Sequence, residues 1–126
     1  MDRFVSHLYR GQADVAEANA LLEREGHADL RLIDNGAAQE GGHTYHLIPA
    51  AASKAAAVEL HMRARGLTAA ECIAVGDSLE DLGVAPLVGR FFLVANGPDA
   101  TGPNVQRTES GFGDGFYEAV VQALVQ

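Results

Sequence analysis

The stretch Cys72-Ile73-Ala74-Val75-Gly76-Asp77-Ser78-Leu79-Glu80-Asp81 decides the fold. Its first four residues are apolar without alternation, the pattern of a strand buried on both faces of a parallel sheet. Gly76 lets the backbone turn tightly, and Asp77 is the first residue off the strand. A short helix is expected from about 79 to 88, which puts Asp81 one turn beyond Asp77 and able to face the same place. Ligands of open α/β sheets bind at the carboxyl ends of strands. Two readings of the loop stay open. Carboxylates at such a point suit Mg²⁺, which uses one or two protein carboxylates plus substrate phosphate. An Asp-Ser pair after a strand also caps a helix.

Upstream, Ser53 is placed to cap a helix running from Lys54 to about Arg65, with Gly66 ending it. A lysine at a helix amino terminus is electrostatically misplaced. It has a reason there if an anion binds beside it; otherwise it is a solvated surface lysine. Downstream, Phe91-Phe92-Leu93-Val94 reads as the next buried strand and 105–108 as a short one. A closing helix opens near Gly113 or Asp114, with Phe116, Val120, Val121 and Leu124 expected on its inner face. Strands alternating with helices imply right-handed crossovers and a parallel sheet, hence an α/β, Rossmann-like fold.

Residues 1–49 have a different rhythm. A strand is expected at 4–9, then a helix capped by Asp14 and ended by Gly26. Leu30, Leu32 and Ile33 make a strand that stops at Asp34-Asn35-Gly36, read as a turn. Residues 44–48 make another, closed by Pro49. The result is β-α-β-β, a small α+β unit set before the 50–126 unit.

The chain has 126 residues, 48% of them hydrophobic and 21% charged, a globular composition. Its net charge of -8 argues against nucleic acid as a partner. A small phosphorylated molecule remains open, since a bound cation inverts the local field. Cys72, the single cysteine, excludes an internal disulfide and fits a reducing, cytoplasmic setting. The start, Met1-Asp2-Arg3-Phe4, has no apolar signal region, and no run is long enough to cross a bilayer. His43 and His46 are expected to leave one strand on the same side; a zinc pair there lacks further ligands at suitable spacing.

Ile48-Pro49-Ala50-Ala51-Ala52-Ser53-Lys54 followed by Gly76-Asp77-Ser78-Leu79-Glu80-Asp81 resembles the haloacid dehalogenase-like phosphatase superfamily. There a Ser-Lys opens a helix, and a later strand ends in Gly-Asp-Ser-x-x-Asp. Phe92-Leu93-Val94-Ala95-Asn96-Gly97 and Gly115-Phe116-Tyr117-Glu118-Ala119-Val120 are similar to the elements that follow. Residues 4–48 resemble the last β-α-β-β of the cap in the Cof-like and sugar-phosphate phosphatase branch. The resemblance makes 1–49 a partial cap and 50–126 the C-terminal half of the core. It implies Mg²⁺-dependent hydrolysis of the phosphate monoester of a small metabolite. Lys54 would offset phosphate charge, Asp77 would bind Mg²⁺ and Asp81 would support it. Ser78 and Asn96 would line the phosphate site. Glu80 stands where many relatives carry Asn.

The family's reaction also needs an aspartate nucleophile in an Asp-x-Asp-Gly motif. No Asp-x-Asp occurs in this sequence. Leu32-Ile33-Asp34-Asn35-Gly36 is out of register, since aligning Gly36 puts Ile33 where the nucleophile belongs. The expectation is a C-terminal portion that is inactive alone. Its sheet would expose an edge that invites a missing N-terminal half or self-association. The alternative is a non-catalytic module that binds Mg²⁺ and phosphate, or a partner chain.

Overall fold

The computed structural model describes residues 7–125, so positions 4–6 of the expected first strand lie outside the described residues. The chain divides into two units between Ala52 and Ser53.

The first unit holds β1 (His7–Gly11), α1 (Val15–Arg24), β2 (Leu30–Ala37) and β3 (His43–Pro49). The strands are antiparallel in the order β1-β3-β2. Asp14 caps α1 by accepting the Glu17 N–H at 3.0 Å. Tyr45 is the buried anchor at 4% exposure; its hydroxyl accepts the Ala13 N–H at 3.0 Å and so fixes the entry to α1. On the outer edge of β2, the Asn19 amide accepts the Leu32 N–H at 2.7 Å and donates to the Leu32 carbonyl at 3.0 Å. A side chain thus stands where another strand would pair, which blunts that edge.

Two expectations are corrected here. Asp34-Asn35-Gly36 is not a turn: β2 runs through it, with a register shift between Asp34 and Ala37. The turn chemistry is spent on a bulge, in which Asp34 accepts the Gly36 N–H at 2.7 Å and Gly36 takes φ +96. The chain reverses instead at 38–42, through Gly41 and Gly42, both at positive φ. The two histidines also part company. Strand period two pairs His43 with Tyr45, whose ring it stacks on at 6.2 Å. His43 takes Asp34 as its partner, and His46 takes Asn35.

The second unit holds α2 (Lys54–Arg65), β4 (Ile73–Gly76), α3 (Leu79–Leu82), β5 (Arg90–Leu93), β6 (Val105–Arg107) and α4 (Phe112–Val125). Single 3₁₀ turns lie at Ala69–Glu71 and Ala85–Leu87. β4, β5 and β6 form a parallel sheet in that order. The core is centred on β5, where Phe91, Phe92 and Leu93 are fully buried. Val58 and Met62 of α2 pack against the buried cluster that includes Phe91 and Leu93. Across the sheet, α4 comes so close that a Cβ on Gly115 would meet Val94 Cγ1 at 3.0 Å. Helices therefore cover both faces, an α/β layering.

Three further readings change. β4 is not buried on both faces: among the described residues it pairs with β5 alone, and Ile73 is 42% exposed. Its apolar run has the composition of an interior strand at an edge position. The helix expected to reach Val88 stops after one turn at Leu82; Gly83 and Val84 keep helical dihedrals, and Pro86, which has no N–H to bond back, leaves only a 3₁₀ turn at Ala85–Leu87. On α4 the inner face is made by Gly115 and Ala119, while Phe116 and Leu124 are exposed at 57% and 81%. Small residues win the inner face because the sheet is too near for large ones.

Candidate active site

The carboxyl end of β4 brings four of the candidate residues together, Lys54, Asp77, Ser78 and Asp81. Ser53 caps α2 by accepting the Ala56 N–H at 2.9 Å, and Gly66 ends it in the left-handed region at φ 66. This fixes Lys54 as the first helical residue. Its Nζ donates to Asp81 Oδ1 at 2.5 Å. The other Asp81 oxygen, Oδ2, accepts the Asp77 N–H at 3.0 Å. Ser78 caps α3, its Oγ accepting the Asp81 N–H at 3.1 Å. Gly76 is required by the same packing, since a Cβ there would run into the Asp81 side chain.

Asp81 is therefore the hub, and the direct partner of Lys54 is Asp81 rather than Asp77. The carboxylate is mostly buried, 15% exposed, while the Lys54 side chain is 62% exposed. Burial pushes the Asp81 carboxyl up. The Lys54 ammonium, the Asp77 N–H and Ser78 outweigh it and hold the group below the ordinary carboxylate value. The hydrogen bond to Asp81 raises Lys54, burial opposes it, and the nearby charges of Asp81, Asp77 and Glu80 add to the rise. Three carboxylates thus act on one ammonium, leaving the loop net negative.

Among the described residues, no side chain or N–H engages the Asp77 carboxylate, and no three His, Cys, Asp or Glu converge as a closed metal cage. This donor set matches a cation held by few protein ligands and completed by water and phosphate, as Mg²⁺ is. Each Asp81 oxygen already has one protein partner, whereas the Asp77 carboxylate faces none among the described residues.

Asn96, expected to line the phosphate site, lies on the loop after β5. Its Oδ1 accepts the Phe112 N–H at 2.6 Å and holds the start of α4, where Phe112 is at φ +52. Arg107, which the sequence reading passed over inside a short strand, donates to three carbonyls of that same loop. Nothing in a lone arginine of a three-residue strand announces such a role.

Two hollows flank β4. One of about 400 Å³ is lined by Lys54 and Asp81 among apolar side chains that include Ala74, Val84 and Phe91. The other, about 240 Å³, lies against Asp77, Val94, Phe112 and Phe116. The sheet's open edge thus has apolar space on both sides.

A parallel sheet with a lysine-opened helix and an acidic loop at the carboxyl end defines a haloacid dehalogenase-like fold. Solved structures agree. The sucrose-phosphatase of Synechocystis, in complex with sucrose and phosphate, aligns with 96% of this chain and 52% of its own at TM-score 0.75 and 16% identity. A haloacid dehalogenase-like hydrolase from Bacteroides thetaiotaomicron aligns over 94% of this chain and 44% of its own, at TM-score 0.70 and 19% identity. In sequence the chain is similar to phosphoglycolate phosphatases. It is 34% identical to that of Methanoculleus marisnigri over 119 residues, 94% of this chain and 48% of the relative. It is 36% identical to that of Natronomonas pharaonis over 83 residues, 65% of this chain and 37% of the relative. The fold is that of haloacid dehalogenase-like hydrolases, and the sequence is similar to curated phosphoglycolate phosphatases. It spans about half the length of the curated relatives it matches, or less. It matches no protein-family model.

Proposed function

We propose that this chain supplies the lysine and acidic-loop portion of a Mg²⁺-dependent phosphate-monoester hydrolase. The observation that carries the reading is the Lys54–Asp81–Asp77 arrangement at the carboxyl end of β4. Asp77 takes Mg²⁺ with water and substrate oxygens. Lys54 lies beside it to offset phosphoryl charge. Asp81 orients both, through its two oxygens. Ser78 holds Asp81, and Asn96 shapes the loop opposite. The substrate is a small phosphorylated metabolite; the names of the curated relatives make 2-phosphoglycolate the first to test. A cytoplasmic setting is proposed from the single cysteine, Cys72; among the described residues no helix is long and apolar enough to cross a membrane.

The second reading, a non-catalytic module that binds Mg²⁺ and phosphate or a partner chain, is favoured by one observation: the sequence holds no Asp-x-Asp. The edge of β4, unpaired among the described residues and with apolar hollows on both faces, supports a partner that adds a parallel strand there. The hydrolase reading and the Mg²⁺-binding form of the second reading require the cation; the partner-chain form does not. Calorimetric titration of the chain is expected to show Mg²⁺ binding in the millimolar range, abolished in Asp77→Asn. Equal binding by that variant reduces the acidic loop to a helix cap.

A further inference from the structure

We infer that Arg107 is a positioning residue for the acidic loop, acting through the loop that follows β5. This rests on the reading above for its consequence on Mg²⁺, and on geometry for the rest. The Arg107 guanidinium donates to the carbonyls of Pro98 at 2.7 Å, Ala95 at 2.8 Å and Gly97 at 2.8 Å. Three carbonyls within four residues converge on the two ends of one planar fork; a lysine ammonium has three donors but gathers them at a single point, so it cannot meet these carbonyls from the same two positions. Gly97 in turn lies against the acidic loop: a Cβ there would sit 3.3 Å from the Asp77 Cα. The Val94 N–H donates to the Gly76 carbonyl at 3.0 Å, which ties the same loop to the end of β4. From the far side, Asn96 holds the loop to the start of α4. Arg107 thus fixes the wall against which Asp77 leaves its strand, and with it the Asp77 N–H that Asp81 accepts.

The sign of the effect separates positioning from charge. Removing a cation near a metal site should tighten Mg²⁺ binding on Coulomb grounds. Positioning demands the opposite. In the full chain, Arg107→Met is expected to weaken Mg²⁺ binding at least fivefold by calorimetry. It is also expected to speed hydrogen exchange of the metal-free Asp77 amide at least tenfold, with the amides of β5 unchanged. Arg107→Lys keeps the charge and is expected to recover less than half of either effect; if Arg107→Met does not fold, Arg107→Lys alone decides. Unchanged exchange at Asp77, or full recovery by lysine, overturns the inference. Unchanged or tighter Mg²⁺ binding by Arg107→Met does so too. Asp77→Asn serves as the control on the metal itself. If it binds Mg²⁺ like the parent, the metal reading falls, and the exchange measurement still judges Arg107.

Discussion

Asp81 joins the two halves of the site because each of its oxygens has a different task. Oδ1 meets Lys54 and Oδ2 meets the Asp77 N–H, so the helix α2 and the loop after β4 share one carboxylate. Its pH signature follows. The folded-state pKa is depressed, so its contribution is present above the unfolded value near 3.8 and is lost as pH falls through the folded value. Lys54 is raised, so its contribution is present below about 10.5 and is lost as pH climbs through the folded value. Asp81→Asn is therefore expected to be less stable than the parent by about 1 kcal/mol near neutrality, kept small because Lys54 stays largely in water. Urea titrations should show the gap narrowing below about pH 4 and again above about pH 10.5. A gap that stays constant across this range would deny the ion pair any part in stability.

At the scale of elements, α4 shows what packing decides over pattern. Its inner face is Gly115 and Ala119, set against Val94 and Thr108, where large side chains have no room. Phe112, Phe116 and Leu124 are left outside. Phe116→Glu combined with Leu124→Lys is thus expected to change the stability of the chain by under about 0.5 kcal/mol while raising its solubility. Ala119→Leu should cost about 1–3 kcal/mol by overpacking. The reverse order of effects, read from thermal melts, would place α4 the other way round. The helices at Asp14 and Ser53 were legible because a cap is a local hydrogen bond, decided within three residues. Whether Cys72-Ile73-Ala74-Val75 lies inside or at the rim of a sheet is not local, since nothing in those residues states how many strands come after. The bulge at Asp34-Asn35-Gly36 uses the same left-handed glycine that a turn would, so only the pairing with β3 tells them apart. Lys54, Ser78 and Asp81 could be found from spacing along adjacent elements. The Arg107 clamp could not, because its carbonyl partners carry no side-chain signature.

At the scale of the molecule, the sequence has Lys54 and the acidic loop but no Asp-x-Asp, and among the described residues no strand pairs with the outer edge of β4. These two facts predict one behaviour. Lysine and cation can stabilise a transferring phosphoryl group, but the covalent route needs a carboxylate to attack phosphorus. The chain alone is therefore expected to hydrolyse p-nitrophenyl phosphate with Mg²⁺ no faster than buffer. A second chain carrying an Asp-x-Asp-Gly strand able to pair parallel to β4 should restore turnover. That strand would also cover the apolar hollows on either side of β4, so melting temperature should rise with the concentration of the second chain. If binding adds a strand at this edge, activity and stability titrate together with one apparent Kd, and Asp77→Ala abolishes the first while sparing the second. His43→Ala, in the first unit, should leave both intact. Activity restored without any rise in melting temperature would mean that the second chain docks elsewhere. Robust Asp77-dependent hydrolysis by the chain on its own would mean that another of its carboxylates attacks, with Asp34 the first to replace.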